Sequence, residues 1–359
     1  MINVTKTYLP PFEEYIAILK RAWDKEWITN NGELVQELEQ KLKEYFQKEY
    51  VLFCNNGTIA LQIALKALGI TKEVITTPFS YVATTNSILW EGCLPVFVDI
   101  EQNTFCIDAD KIEDAITDNT EAIMVTHVYG YPCNVEKIEA IAKTYHLKVI
   151  YDAAHAFGCT YKNKSLLHYG DIATCSFHAT KVFHSVEGGC IISNSKEIND
   201  KLFLYRSFGH IGDDYFTVGI NGKNSEFHAA MGLAVLPKIL SLIAERKIVF
   251  ETYNSLLPAS LKRPYYNIPE FEYNYSYYPV IFETEKAMLA VKEALADKQV
   301  NTRRYFYPSL NTLPQVEKNI YSCPVSEDIS SRVLCLPLYP GLQESDISKI
   351  AAIVTKKLL

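Results

Sequence analysis

Val149-Ile150-Tyr151-Asp152-Ala153-Ala154-His155 and Ile172-Ala173-Thr174-Cys175-Ser176-Phe177-His178-Ala179-Thr180-Lys181 are the two stretches that decide how this chain folds. Each opens as a short apolar run of strand type and then turns polar, the first at Asp152 and the second at Ser176 with Lys181 just beyond. Similar runs occur at Val74 to Thr77, Leu94 to Val98 and Ala122 to Thr126. Helix-length segments lie between several of them: Ala83 to Trp90, Ala109 to Ile116 and Val135 to His146. Apolar strands alternating with helices are the pattern of a largely parallel sheet covered on both faces. The expected fold class is α/β, a three-layer α/β/α domain whose binding crevice opens at the carboxyl ends of its strands.

Upstream of this alternation, Leu34, Val35, Leu38, Leu42, Tyr45 and Phe46 recur at helical spacing within Glu33 to Tyr50, after a capping loop at Asn30-Asn31-Gly32. A second helix is expected from Thr58 to Leu68, ending at Gly69. The loop Cys54-Asn55-Asn56-Gly57-Thr58 brings backbone N–H groups and a hydroxyl to that helix start, which suits an anion and equally suits a plain helix cap. Downstream, a long helical stretch spans Ser225 to Leu256, where Pro237 must start, kink or interrupt a helix. The strand Tyr273 to Phe282 and the helices Glu285 to Leu295 and Ser345 to Lys357 suggest a smaller α+β domain. The expected division is a large domain over residues 1–250, including the N-terminal segment, and a small C-terminal domain over 251–359.

Composition narrows the function classes. Of 359 residues, 48% are hydrophobic and 21% charged, which excludes a mostly disordered chain. The 35 basic and 42 acidic residues give a net charge of -7, and no basic run offers a footprint for nucleic acid. Nine cysteines, an odd number with no CxxC pair, read as reduced thiols in a cytoplasmic protein without a zinc or iron-sulfur site. Met1 to Tyr15 lacks the pattern of a signal peptide, so a soluble protein with no membrane partner is expected. Dinucleotide GxGxxG, nucleophile-elbow GxSxG and zinc HExxH motifs are absent, and in Gly219-Ile220-Asn221-Gly222-Lys223-Asn224-Ser225 the glycine spacing is too short for a nucleotide phosphate loop.

What remains is polar chemistry at strand ends. A carboxylate at Asp152 can pair with a pyridine nitrogen and keep that ring able to absorb carbanion electrons, or simply cap a helix. Lys181, partly desolvated at such a crevice, can form an imine with a carbonyl compound, or be only a charge. Gly188 and Gly189 allow a sharp return into the strand Cys190 to Ser193, and Glu187 serves as readily as a structural loop carboxylate.

These residues also carry a resemblance. The ordered blocks Trp27-Ile28-Thr29-Asn30, Asn56-Gly57-Thr58, Pro78-Phe79-Ser80-Tyr81-Val82-Ala83-Thr84, Phe97-Val98-Asp99, Asp152-Ala153-Ala154-His155-Ala156, Ser176 to Lys181 and Glu187-Gly188-Gly189 continue through Gly219 to Glu226, Tyr305-Phe306-Tyr307-Pro308 and Leu336 to Gly341. Across nearly its whole length the chain resembles the DegT/DnrJ/EryC1/StrS family of sugar aminotransferases, fold type I enzymes that use pyridoxal 5′-phosphate. The resemblance implies that Lys181 holds the cofactor as an imine and shuttles the proton, that Asp152 holds the pyridine nitrogen, and that His155 stands near the phenolic oxygen. It further implies that Tyr81 stacks on the ring, that Gly57, Thr58 and Ser176 bind the phosphate, and that Asn221 reaches that phosphate from the other subunit of a homodimer with shared active sites. Two departures stand out: Val182 where asparagine often follows the lysine, and Ile220-Asn221-Gly222-Lys223 where Tyr-Asn-Tyr-Arg is common.

The same resemblance implies L-glutamate as amino donor and a nucleotide-linked keto-deoxyhexose as acceptor. The preferred acceptor is dTDP-4-keto-6-deoxyglucose, giving dTDP-4-amino-4,6-dideoxyglucose for a surface polysaccharide such as O-antigen. A 3-keto acceptor, a cofactor-dependent sugar dehydratase and a non-catalytic relative are the alternatives. Candidate substrate contacts are Trp27, Asn30, Asn31 and Tyr305 at the entrance, and Arg206, Lys223, Arg303 and Arg304 for the diphosphate.

Overall fold

Alternate residues of a strand point to opposite faces of its sheet, and here both faces are apolar. Ile123, Val125, Val149 and Tyr151 join the larger core, whereas Ala122, Met124 and Ile150 join a smaller one behind them. A computed structural model describes residues 1–264, 267–316 and 322–358. Its strands in chain order begin with β1 (Tyr50–Cys54), β2 (Glu73–Thr76), β3 (Leu94–Phe97), β4 (Thr120–Thr126) and β5 (Lys148–Asp152). A small hairpin, β6 (Thr160–Tyr161) and β7 (Lys164–Ser165), precedes β8 (Ile172–Ser176) and β9 (Gly189–Ser193). The central sheet has the order β1-β9-β8-β5-β4-β2-β3. The strands from β3 to β8 run parallel, and β9 lies antiparallel between β8 and β1.

Helices cover both faces. On the smaller core lie α3 (Gly57–Ala67), α4 (Val82–Trp90) and α6 (Lys196–Arg206). The other face is packed by α1 (Phe12–Asp24), α2 (Glu33–Phe46), α5 (Val135–Tyr145), α7 (Glu226–Val235) and α8 (Ile239–Leu256). This is the three-layer, mainly parallel α/β/α architecture that the alternation of strands and helices predicts. Pro237 does interrupt its helical stretch: a 3₁₀ turn, Leu236–Lys238, separates α7 from α8. The run Glu226–Leu256 is long and apolar enough to cross a membrane, but that turn divides it and more than half of its most apolar stretch is buried inside the protein, as in a core helix. Ala109 to Ile116, expected as a helix, instead forms two 3₁₀ turns, Ala109–Lys111 and Glu113–Ala115. Ile116 is already extended, and the turns bond only three residues back.

The C-terminal part pairs β13 (Tyr278–Ile281) with β14 (Val333–Leu336); α9 (Glu285–Ala296) packs on β14 and is flanked by α10 (Pro324–Arg332) and α11 (Glu344–Leu358). Before them, a surface hairpin, β10 (His210–Ile211) and β11 (Asp214–Tyr215), precedes α7, and β12 (Phe271–Glu272) joins β6. Only Tyr278–Ile281 of the expected strand Tyr273 to Phe282 runs as a ladder with β14. Asn274 Nδ2 instead donates to the carbonyls of His155 (2.7 Å) and Phe157 (2.9 Å), which turns the first half of that segment into a wall of the crevice. The helix α8 passes through residue 250, and Ile2 at the N-terminus bridges to Val300.

Candidate active site

The carboxyl ends of β5 and β8 and the first turn of α3 meet around a cavity of about 340 Å³. Asn56 caps α3, its Oδ1 accepting the Ile59 N–H at 2.8 Å, so Gly57 and Thr58 open the helix toward the cavity. The absence of a side chain at Gly57 is needed: a Cβ there would stand 2.9 Å from Ser176 Cβ and 3.3 Å from Ser176 Cα. A helix start pressed this closely against a serine leaves a cradle of N–H and hydroxyl groups suited to an anion.

Asp152 ends β5, fully within the fold. Its Oδ2 accepts from Thr84 Oγ1 at 2.7 Å and its Oδ1 from the Ala154 N–H at 3.1 Å. Burial raises the carboxyl above its ordinary value, opposed first by the Thr84 hydroxyl and also by Lys181. Lys181 lies in the loop after β8, where its Nζ donates to Tyr277 Oη at 3.4 Å. Burial draws the amine below the usual lysine value, with Asp152 pulling the other way. His155 is buried, and its Nδ1 accepts the Tyr129 N–H at 3.2 Å, which leaves the ring proton on Nε2. Its ring stacks on Phe306 at 5.4 Å and 13°. Burial holds its pKa well below the ordinary histidine value, so it is neutral.

Tyr81 stands exposed at the cavity mouth, just before α4, and Arg303 and Tyr305 line the cavity from the C-terminal part. The Arg303 guanidinium sits 5.4 Å from the Tyr305 ring centroid. Thus Gly57, Thr58, Tyr81, Asp152, His155, Ser176, Lys181, Arg303 and Tyr305 come together.

Other expected contacts lie elsewhere. Arg206 is 1% exposed and binds Glu39 (2.5 Å) and the Phe53 carbonyl (2.6 Å), so it holds α6 to β1 and α2 rather than facing a ligand. Arg304 pairs with Glu285 at 2.7 Å and lies 3.4 Å from the Tyr307 ring centroid, away from the cavity. Lys223 covers the Phe208 ring at 4.5 Å. Trp27 Nε1 donates to the Thr29 carbonyl, and Asn30 and Asn31 form the left-handed turn before α2. The backbone of Asn221 bridges Ser207, and its side chain does not line the cavity. Tyr277 and His178 also line the cavity, and Thr84 bonds Asp152 behind it. Tyr277 stands among neighbouring tyrosines that mask it in the sequence, whereas Thr84 and His178 fall within motifs whose other residues carry the recognisable chemistry.

A cradle for an anion, a buried carboxylate and a desolvated amine on one cavity fit a phosphorylated pyridine aldehyde, each with a partner for a different end of it. The profile of the DegT/DnrJ/EryC1/StrS aminotransferase family matches residues 12–355. The dTDP-4-amino-4,6-dideoxy-D-glucose transaminase of Shigella dysenteriae is 42% identical over 361 residues, covering 98% of each chain. The crystal structure of DesI in the presence of its TDP-sugar product superposes with a TM-score of 0.93 at 28% identity, over 99% of this chain and 92% of that one. The PLP form of the sugar aminotransferase Spr1654 of Streptococcus pneumoniae shares the fold, with a TM-score of 0.90 at 24% identity over 99% and 98% of the two chains.

Proposed function

Since the chain belongs to the DegT/DnrJ/EryC1/StrS aminotransferase family, we propose that it transfers the amino group of L-glutamate to dTDP-4-keto-6-deoxyglucose, giving dTDP-4-amino-4,6-dideoxyglucose. The observation that carries the reading is Lys181 and Asp152 on one cavity in a chain so similar, end to end, to a transaminase of that name. Pyridoxal 5′-phosphate, when bound, supplies an aldehyde that the substrate amine can exchange with and a ring that absorbs the electrons left by a departing proton.

The residues divide the work. Gly57, Thr58 and Ser176, at the start of α3, would hold the cofactor's phosphate, and Tyr81 would stack on its ring. Asp152 would pair with the ring nitrogen and keep it protonated. His155, with its proton on Nε2, would donate to the phenolic oxygen. Lys181 Nζ accepts the donor's α-proton and later delivers one to the sugar carbon that receives the amine, a base made effective by its desolvation. Arg303 and Tyr305 receive the sugar nucleotide at the mouth, with Trp27, Asn30, Asn31 and Lys223 meeting it from the partner side.

The assembly is a homodimer with shared sites. Phe208, Ile211, Tyr215, Phe216, Val218 and Ile220 are all exposed around the β10–β11 hairpin, an apolar surface that a second copy would cover while bringing Asn221 to the neighbouring phosphate. All nine cysteines are unpaired, which agrees with synthesis of a surface-glycan precursor in the reducing cytoplasm.

The test is the donor half-reaction. Glutamate added to the cofactor-loaded protein without sugar shifts absorption from ~420 nm to ~330 nm and releases 2-oxoglutarate. The Lys181→Ala protein folds but does neither, and near-normal turnover by it would remove the assigned role. Product NMR after adding the sugar places the amine on C4; an amine on C3 would replace the acceptor by a 3-keto sugar.

A further inference from the structure

Ser80, Thr84 and Thr126 form a chain of buried hydroxyls behind Asp152. Ser80 is 2% exposed and the two threonines 0%. Ser80 Oγ lies 2.8 Å from Thr126 Oγ1 and 2.9 Å from Thr84 Oγ1, and Thr84 Oγ1 lies 2.7 Å from Asp152 Oδ2. Each hydroxyl has one proton to give. The carboxylate can only accept, so Thr84 spends its proton on Asp152. Ser80 then donates to Thr84, while the Thr126 hydroxyl lies within reach of Ser80, of Thr84 (3.5 Å) and of Asp152 itself, where its contact also favours the ionised carboxyl. The dipoles of Ser80 and Thr84 both point at the carboxylate, and hydrogen bonds aligned head to tail polarise one another.

The elements that carry them explain the placement. Ser80 and Thr84 lie one helical turn apart across the start of α4, and Thr126 ends β4, whose register sets it directly beside Asp152 on β5. The back oxygen is therefore occupied by protein, while the remaining lone pairs of the carboxylate face the cavity. We propose that Thr84, oriented by Ser80 and Thr126, is a positioning residue that keeps Asp152 ionised and turned toward the cofactor without a cationic partner of its own on that side. This rests on the cofactor reading above, yet its physical content belongs to the protein alone.

The groups facing Asp152 are Lys181 and Cys175 from β8 and the loop after it, His155 beyond β5, and Tyr277 from the C-terminal part. None of these is altered by changing Thr84. The experiment is a pH titration of the Asp152 carboxyl in cofactor-free protein, followed by ¹³C NMR with labelled aspartate, the signal being assigned by its loss in Asp152→Asn. Thr84→Val keeps the side-chain shape and removes the hydroxyl; the midpoint should rise by about 1 to 2 pH units, the worth of one hydrogen bond to a charged group. Thr84→Ser should restore it, and Ser80→Ala should move it the same way by less. In the loaded enzyme, Thr84→Val should slow the glutamate half-reaction about 10-fold at neutral pH, the rate consequence of one such unit. An unmoved midpoint in Thr84→Val and Ser80→Ala overturns the proposal, even if activity falls. A moved midpoint in a protein that fails to react with glutamate leaves the hydroxyl chain standing and instead removes the transaminase reading.

Discussion

Arg206 separates two meanings of a cation near a cofactor cradle, ligand contact and structural pin, and replacing it with methionine tests which applies. In the fold, its Nη1 reaches Glu39 Oε1 at 2.5 Å and the Phe53 carbonyl at 2.6 Å, and its guanidinium lies 5.5 Å from the Phe203 ring centroid. Glu39 Oε1 also accepts the Phe53 N–H at 2.8 Å. The side chains of the pair are 2% and 12% exposed, so screening by water is slight. Arg206→Met keeps much of the packing but leaves the Glu39 carboxylate with one neutral donor in a nearly dry site. Losing one partner of a buried pair costs about 3–5 kcal/mol. With an unfolding entropy of ~2.1 cal/mol/K per residue over this chain, Tm should fall by about 4–7 °C. Differential scanning calorimetry of the cofactor-loaded protein measures that shift, while the KM for the sugar nucleotide, taken well below Tm, should stay within about 2-fold because the guanidinium never faces the cavity. A Glu39→Gln, Arg206→Met double variant should recover part of the loss, since it removes the stranded charge. An unchanged Tm with a 10-fold rise in sugar KM would refute the structural assignment.

Two further outcomes follow from the same packing. Gly57→Ala places a methyl 2.9 Å from Ser176 Cβ, so the cradle must open; affinity for pyridoxal 5′-phosphate, read by fluorescence titration, should weaken about 10-fold, near 1.4 kcal/mol, while an unchanged affinity would remove the phosphate from this corner. Stability should also fall in mild acid because of buried histidines: His127 stacks on Tyr151 at 4.6 Å and accepts the Cys133 N–H, and burial lowers its pKa from 6.5 to about 3. The unfolded chain takes up that proton first, so the contribution is complete above 6.5 and is lost as pH falls from 6.5 toward about 3. The slope is about 1.4 kcal/mol per pH unit for each such histidine, and His155 acts in the same direction. Urea midpoints at a series of pH values should show it, and a flat profile between neutrality and mild acid would contradict the burial of both rings.

The parts legible in the sequence are those with a local signature. Apolar strand cores such as Val149 to Tyr151 mark the sheet because both faces are buried, and Asp152 and Lys181 are visible because polarity resumes where a strand ends. Pro237 announces its own break by lacking an N–H. Long-range contacts have no such mark. Glu226, within α7, caps α2 by accepting the N–H groups of Leu34 (2.7 Å) and Val35 (3.1 Å), where the sequence suggests only the local loop Asn30-Asn31-Gly32. The segment Tyr273 to Tyr277 looks like strand, yet its polar groups are committed to Tyr129 and His155. Arg206 and Arg303 are alike as residues; only the fold buries one and leaves the other on the cavity.

The position of β9 bears on how the protein is made. β1 leaves the ribosome before every other strand of the sheet, yet its ladder partner is β9, whose own other edge holds β8. Until Gly189–Ser193 has been synthesised, the parallel strands can assemble from β3 to β8 but β1 has no place to join. During that interval an apolar strand and the helix behind it wait as exposed nascent chain, the state most open to chaperone capture or to pairing with a neighbouring polypeptide. Closure of the cofactor cradle, which needs both β8 and the helix that β1 leads into, is thereby placed among the later events of biogenesis.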